Sequence, residues 1–115
     1  MSLPAEVVVL STDLMDRSRF DPVRGAGVAV SFVRRAADVA GSLGDPRTDV
    51  GRVVVVVDLA RPDALEAIEA AGSAGVEVIA YGSHVDRSQL DLAHAAGARV
   101  QARSAFFGRL LDTLG

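Results

Sequence analysis

Residues 53–62 of the sequence are Val-Val-Val-Val-Val-Asp-Leu-Ala-Arg-Pro, and their pattern is the strongest indication of the fold class. Five consecutive valines are apolar on both faces, and β-branched side chains suit a pleated, buried surface. The run is therefore typical of a central strand in a parallel sheet that helices cover on both sides. Pro62 fits the first turn of a following helix. Asp58 follows the valines at the carboxyl end of the strand, where open parallel sheets collect ligands and chemistry.

Apolar runs elsewhere in the chain predict four more strands, each followed by a helical pattern. The predicted strands cover residues 7–10, 28–33, 53–57, 76–81 and 99–102. The predicted helices cover residues 14–24, 36–43, 62–74, 86–96 and 104–114. Pro22 should end or kink the first helix, and residues 44–49 should form a loop. This alternation predicts one α/β domain over residues 1–115, a three-layer sandwich with a five-stranded parallel sheet in the flavodoxin-like order 2-1-3-4-5.

The composition excludes several classes of function. The net charge of −3 does not indicate the positively charged surface that nucleic-acid binding requires. Cysteine is absent, which excludes disulfides, thiol catalysis and thiolate metal sites, and all 12 basic residues are arginine, which excludes a P-loop or Schiff-base lysine. There is neither a signal-peptide pattern nor an apolar run that approaches the ~20 residues of a membrane span. We therefore expect a soluble, cytoplasmic protein with no nucleic-acid or membrane partner.

Four stretches resemble the receiver domain of bacterial response regulators. Ser11-Thr12-Asp13 lies where receivers place an acidic pair after the first strand, and residues 58–62 keep the receiver spacing from a phosphoaccepting aspartate to a proline. Gly82-Ser83 lies where receivers carry a Thr/Ser switch residue followed by a small residue. Residues 95–98 and 103–106 are similar to the Ala-Gly-Ala turn and the Lys-Pro-Phe of receivers. The resemblance covers the whole chain and implies the flavodoxin-like fold and a signalling role.

The first departure from the receiver pattern concerns the metal. Receivers hold a magnesium ion with two acids after the first strand together with the phosphorylated acid. Here Thr12 replaces one of the acids, which leaves Asp13 and Asp58 as a weak magnesium site, because magnesium demands a near-octahedral set of oxygen ligands. Asp13 has an alternative role as the N-cap of the first helix.

Two further departures concern the lysine and the switch hydroxyl. Either Arg103 or Ser104 takes the lysine position, and the planar fork of an arginine is not equivalent to an ammonium group. Gly82 takes the position of the switch hydroxyl, with Ser83 one residue along. Together with Thr12, these changes favour loss of ordinary phosphorelay chemistry over its retention.

The candidate site residues each have a functional and a structural interpretation. The resemblance implies that Asp58 accepts a phosphoryl group as a nucleophile, whereas the structural interpretation is an acid that caps the next helix or pairs with an arginine. Arg103 either pairs with Asp58 or is a surface arginine. His84 either bonds to Asp58 or to an anion near neutral pH, or orders its own loop. Phe106 and Phe107 are adjacent and cannot share one narrow apolar stripe, so one of them is a candidate for a protein-binding face.

We therefore expect a stand-alone pseudo-receiver that acts as a signalling or protein-interaction module. Its protein partner is unidentified, and the resemblance points to a homodimer through the fourth and fifth predicted helices. We expect no enzyme activity beyond autophosphorylation from a phosphodonor, and magnesium is the sole candidate cofactor. Two alternatives stay open: a divergent true receiver phosphorylated on Asp58, and a small-molecule binder at the carboxyl edge of the sheet.

Overall fold

The fold is a five-stranded sheet with short helices on both faces. The computed structural model describes residues 3–43 and 51–115, so the predicted loop over residues 44–49 lies outside the described residues. The strands are β1 Glu6–Leu10, β2 Ala29–Val33, β3 Val53–Asp58, β4 Glu77–Gly82 and β5 Arg99–Ala102. The helices are α1 Leu14–Ser18, α2 Asp21–Gly25, α3 Val39–Ser42, α4 Ala64–Ser73, α5 Arg87–Ala95, α6 Arg103–Gly108 and α7 Leu110–Leu114, and a 3-10 turn covers Ala36–Asp38.

All strand pairs are parallel, and the strand order is β2-β1-β3-β4-β5. This confirms the predicted flavodoxin-like order. The valine strand β3 lies at the centre, where β1 and β4 flank it. Asp58, the last residue of β3, is in register with Tyr81 of β4. The parallel arrangement brings the loops after all five strands to one edge of the sheet, which we call the carboxyl edge.

Each face of the sheet has its own core. On one face, β-strand residues such as Val55 and Val57 pack with α3, α4 and α5 through side chains that include Ile68. On the other face, Val54 and Val56 pack with α2, α6 and α7 around Phe20. The valines of β3 alternate between the two cores because successive strand residues point to opposite faces, so a run of valines serves both.

The helices differ from their predicted extents more than the strands do. The predicted first helix is two helices, and Pro22 lies in the first turn of α2, where its missing N–H removes no helical bond. The predicted last helix breaks at Arg109, whose φ of −135° is not helical. Pro62 precedes α4, which begins at Ala64 instead of at the proline. No helix in the described part of the chain is long and apolar enough to cross a membrane.

Candidate functional site

Asp58 lies at the carboxyl edge and is almost completely buried, with 7% of its surface exposed. Its Oδ1 accepts a hydrogen bond from the backbone N–H of Ala60 at 2.9 Å, so the carboxylate caps the turn that leads to α4. Burial raises the pKa of Asp58, and the negative charges of Asp16 and Asp13 act in the same direction. The Ala60 N–H and the guanidinium of Arg103 oppose this rise without cancelling it.

Beside Asp58 lies a second, fully buried carboxylate, Asp16 of α1, which is 0% exposed. The guanidinium of Arg103 donates to both carboxylate oxygens of Asp16 in a bidentate ion pair. The hydroxyl of Tyr81 donates to Asp16 Oδ2 at 3.0 Å. We call these three residues the Asp16 cluster. The structure therefore pairs Arg103 with Asp16, and the predicted Asp58–Arg103 pair is replaced by a longer-range electrostatic attraction.

Aromatic packing holds the Asp16 cluster in place. The ring of Tyr81 stacks on that of Phe106, with centroids 5.0 Å apart and planes 7° from parallel. The guanidinium carbon of Arg103 lies 5.4 Å from the centroid of Phe107 and 5.9 Å from that of Tyr81. Hydrogen bonding to Asp16 raises the pKa of Arg103, and burial raises the pKa of Tyr81 above its usual range. Tyr81 is therefore a neutral phenol and Arg103 a cation at any ordinary pH.

A second arginine connects three loops of the carboxyl edge. Arg61 donates to Asp63 Oδ1 at 3.2 Å, to the carbonyl oxygen of Arg34 at 2.9 Å and to the hydroxyl of Thr12 at 3.4 Å. Asp63 Oδ2 in turn accepts from the backbone N–H of Ala36 at 2.8 Å. The loops after β1, β2 and β3 are therefore joined through one guanidinium, and Thr12, at a position where receivers carry an acid, contacts a cation of the protein itself.

Asp58 opens into a small cavity of about 210 Å³. Asp58, Ser83 and Arg103, all singled out from the sequence, line this cavity together with residues of β4 and α5. The same cavity is lined by Gly82, where a Cβ would lie 3.1 Å from the Cβ of Leu59. The position of the switch hydroxyl therefore has no room for a larger side chain unless Leu59 moves.

The other predicted site residues lie outside this cavity. Asp13 caps α1, because its Oδ1 accepts from the backbone N–H groups of Met15 at 2.8 Å and Asp16 at 3.2 Å. His84 is exposed and lines an open groove of about 710 Å³ between α5 and β5. Phe106 is fully buried in the core, so it is wrong as part of a partner face, and only Phe107 keeps an accessible surface.

Internal hydrogen bonds weaken the carboxyl edge as a magnesium site. Both oxygens of Asp16 bind Arg103, Asp13 caps a helix, and Asp58 accepts from the backbone. Across residues 3–43 and 51–115, no three Asp, Glu or His side chains gather as a group that could hold a metal. Magnesium usually keeps several waters and is held through one or two carboxylates together with phosphate oxygens, so Asp13 and Asp58 stay a weak candidate pair.

Sequence reasoning missed Asp16, Tyr81 and Arg61 as site residues. Asp16 lies three positions after the N-cap Asp13, in a helix whose neighbouring residues Leu14 and Met15 are exposed. The available signal was weak: α1 is too short for its buried side to be identified from periodicity. Tyr81 carried a signal, since it ends a buried strand in register with Asp58, and a buried tyrosine hydroxyl needs a partner.

The comparisons with known proteins support the fold. No protein-family model and no curated protein sequence matches the chain. Among solved structures, the receiver domain of the TMAO respiratory system response regulator TorR superposes with a TM-score of 0.72 at 17% identity, over 97% of this chain and 100% of that one. A sensor histidine kinase receiver domain from Pseudomonas aeruginosa, with magnesium in its active-site cleft, has a TM-score of 0.70 at 17% identity, over 96% of each chain.

A third similar structure is the receiver domain of the response regulator Ssk1 of Saccharomyces cerevisiae, solved with the histidine phosphotransfer protein Ypd1. Its TM-score is 0.72 at 12% identity, over 100% of this chain and 92% of that one. The chain therefore has the receiver fold, as the sequence resemblance predicted. At these identities the likeness is one of fold, and the chemistry rests on the residues of this chain.

Proposed function

We propose that this chain is a pseudo-receiver, a signalling domain that acts through protein–protein contact and is not phosphorylated in the usual way. The likeness to receiver domains of signalling proteins supports the signalling role. The loss of ordinary phosphorylation is supported by the residues at the carboxyl edge. We propose no enzyme activity, and the domain would span residues 1–115 and work in the cytoplasm.

The observation that carries the proposal is the bidentate ion pair between Arg103 and the buried Asp16. A phosphoryl group on Asp58 would need a cation to compensate its charge. Arg103 is the cation that lines the cavity beside Asp58, and it is already committed to an internal carboxylate. Drawing it away would leave Asp16 buried without a cation, which costs less than the loss of about 3–5 kcal/mol from breaking a fully buried pair, because 41% of the Arg103 side chain is exposed.

Two neighbouring features also disfavour a phosphoryl group on Asp58. Arg61 donates to Thr12, so the protein supplies its own positive charge at this part of the edge. Gly82 has no hydroxyl to bind a phosphoryl oxygen, and its contact with Leu59 disfavours any side chain there. Ser83, the next hydroxyl along the chain, is exposed and is a weaker substitute.

The test is to expose the protein to acetyl phosphate with magnesium, and separately to beryllofluoride with magnesium. We expect no gain of a phosphoryl group in the intact mass and a melting temperature within about 1 °C of that of the untreated protein, because a ligand that does not bind the native state does not stabilise it. The matched control is Asp58→Asn, which should respond identically.

A magnesium-dependent rise in melting temperature that disappears in Asp58→Asn would overturn the proposal in favour of a true receiver. The observation that favours this second candidate is the cavity, in which Asp58 and Ser83 face the same space of about 210 Å³. In that case the covalent chemistry would be the attack of the Asp58 carboxylate on a phosphodonor.

A small-molecule binder at the carboxyl edge is the third candidate and has less support. The cavity beside Asp58, about 210 Å³, is smaller than the ~300–1,000 Å³ of ordinary ligand pockets. A panel of metabolites tested by thermal shift would support it if one compound raised the melting temperature of the wild type and not of Asp58→Asn.

Homodimerisation through the fourth and fifth predicted helices is a further part of the proposal. These helices correspond to α5 and to α6 with α7, and they expose Leu92 (55%) and Leu111 (40%). Static light scattering would show a concentration-dependent rise in mass that Leu92→Glu lowers. Leu14→Glu, at the exposed start of α1 and outside these helices, is the matched control.

A further inference from the structure

Three arginines near the β2 edge have no carboxylate partner among the residues that the structure describes. The ion pairs of the described residues involve Arg35, Arg52, Arg61, Arg99 and Arg103. Arg17, Arg19 and Arg24 are absent from them and lie instead over aromatic rings.

The rings belong to two half-buried phenylalanines, Phe32 of β2 and Phe107 of α6. The guanidinium carbons of Arg17 and Arg24 lie 4.7 Å and 5.3 Å from the centroid of Phe32, and that of Arg19 lies 5.1 Å from the centroid of Phe107. These are cation–π distances. We call these three arginines and two phenylalanines the arginine–aromatic patch.

The core fixes the positions of these rings. Phe20, which is 1% exposed, contacts both of them edge-on, with centroids 5.9 Å from that of Phe32 and 5.7 Å from that of Phe107. Arg24 also donates to the carbonyl oxygen of Val30 at 3.1 Å. The guanidinium groups are therefore partly ordered before any partner arrives, which lowers the entropy lost on binding.

The charge around the patch is opposite in sign to that of the whole protein. Residues 17–35 contain five arginines and one acid, Asp21, in a chain whose net charge is −3. Nucleic-acid binding requires many basic side chains that neutralise phosphates at once, and a few arginines on an acidic protein are too few for that. The remaining acidic surface repels an anionic membrane. Arginine forks match carboxylates, so the complementary partner is an acidic stretch of protein. Leu14 and Met15, 76% and 68% exposed at the start of α1, add apolar surface beside it.

We infer that the arginine–aromatic patch is a docking surface for an acidic, partly apolar segment of another protein. None of its residues lines the cavity beside Asp58. The inference rests on the proposed function only in that both assign the chain a protein partner. It goes beyond that function by naming a surface and the charge of the partner, and it holds whether or not Asp58 accepts a phosphoryl group.

The experiment is a titration of the full ¹⁵N-labelled chain with a synthetic peptide of Glu-Glu-Leu repeats, followed by backbone amide shifts. We expect shifts concentrated in residues 14–33 and at Phe107, and no such pattern with a Lys-Lys-Leu peptide. Arg17→Gln with Arg24→Gln should weaken binding about tenfold at low salt, because two charge-assisted contacts are lost. Arg19→Gln alone serves as a second variant should the double variant fail to fold.

The matched control is Arg87→Gln with Arg109→Gln, which changes the net charge equally on exposed residues outside the patch. Its affinity should stay within about twofold of the wild type, because distant charges are screened. Equal weakening in both double variants, shifts spread elsewhere, or no binding of the acidic peptide would overturn the inference. So would tighter binding to phosphatidylserine vesicles or to an oligonucleotide than to the peptide. Acetyl phosphate labelling of the same samples tests the proposed function separately.

Discussion

Asp16 is a buried carboxylate whose compensating charge lies 87 positions away, on Arg103. The sequence predicted that Arg103 would lie near the carboxyl edge, because the residue directly follows the fifth strand. It could not predict which acid Arg103 would bind. Asp13 and Asp16 follow the first strand and Asp58 ends the third, so each was an acid available near the carboxyl edge. Tyr81 also donates to Asp16, and this contact between distant parts of the chain is formed only in the folded protein.

The Arg103–Asp16 pair should matter strongly for stability. We expect Arg103→Met to lower the free energy of unfolding by about 2–4 kcal/mol, because it leaves the carboxylate of Asp16 buried without a cation. Arg103→Lys should recover part of this loss, since it keeps the charge but not the bidentate geometry. Urea denaturation at pH 7 measures the free energy of unfolding of the wild type and of each variant.

The control for packing is the double variant Asp16→Asn with Arg103→Met. It should be more stable than Arg103→Met alone, because it removes the unpaired charge together with its partner. A double variant that is less stable than Arg103→Met would show that the loss comes from packing of the arginine stem and not from the charge.

Asp58 should make stability depend on pH in a definite direction. Its pKa is raised in the folded state, so between the unfolded pKa of about 3.8 and the folded pKa the native state binds more protons than the unfolded state. The contribution of Asp58 to stability is therefore fully present below this window and is lost as the pH rises through it. We expect Asp58→Asn to be more stable than the wild type at pH 7, with the gap closing as the pH falls. Urea titrations at several pH values check this, and a gap that widens in acid would contradict it.

Among the elements, the strands and the two longest helices, α4 and α5, were predicted to within two residues, whereas the shorter helices were not. A strand buried on both faces leaves a continuous apolar run, such as 53–57, that marks its own ends. Helices of four to six residues, such as α3 or α6, contain little more than one turn and leave no resolvable periodicity. Pro22 was the one local marker that correctly placed a break. The break at Arg109 directly follows Gly108, a helix-breaking signal that the prediction of one helix over residues 104–114 did not use.

The Arg61–Asp63 bridge should hold the turn after β2 in place. Asp63→Ala removes the acceptor of the Ala36 N–H and the partner of Arg61, so we expect a loss of about 1–2 kcal/mol and faster hydrogen exchange at the Ala36 amide. The matched control is Asp38→Ala, which breaks an exposed pair with Arg35 and should cost less than about 0.5 kcal/mol.

The bridge also predicts a pH effect of the opposite sign to that of Asp58. Burial alone would raise the pKa of Asp63, but its hydrogen bonds from Ala36 and Arg61 lower it overall. This contribution is therefore present above the unfolded pKa and is lost as the pH falls through the folded pKa. The Ala36 amide should exchange faster in acid, relative to the intrinsic rate, in the wild type but not in Asp63→Ala. An exchange ratio that is flat with pH in both proteins would contradict this role for the carboxylate.

At the scale of the whole molecule, one sheet joins two cores and therefore couples them. The fold class and the strand order were predictable because a parallel α/β chain of this length has few topologies. The parts of the surface that carry function were not predictable from the sequence. The sequence predicted functional residues at the carboxyl edge, whereas the arginine–aromatic patch joins the consecutive elements α1, α2 and β2 to α6, which is distant from them in sequence.

We expect the two cores to unfold together. Tyr81 is the only tyrosine, there is no tryptophan, and its ring lies in the core that contains Phe20, so its fluorescence reports on that side of the sheet. Ile68→Ala opens a cavity in the opposite core and should lower the free energy of unfolding by about 2–5 kcal/mol. Because both cores share the valines of β3, the urea transitions followed by Tyr81 fluorescence and by far-ultraviolet circular dichroism should coincide in the wild type and shift by the same amount in the variant. A variant in which the circular dichroism transition moves while that of Tyr81 stays would show that α3, α4 and α5 detach separately from a sheet still packed on its other face.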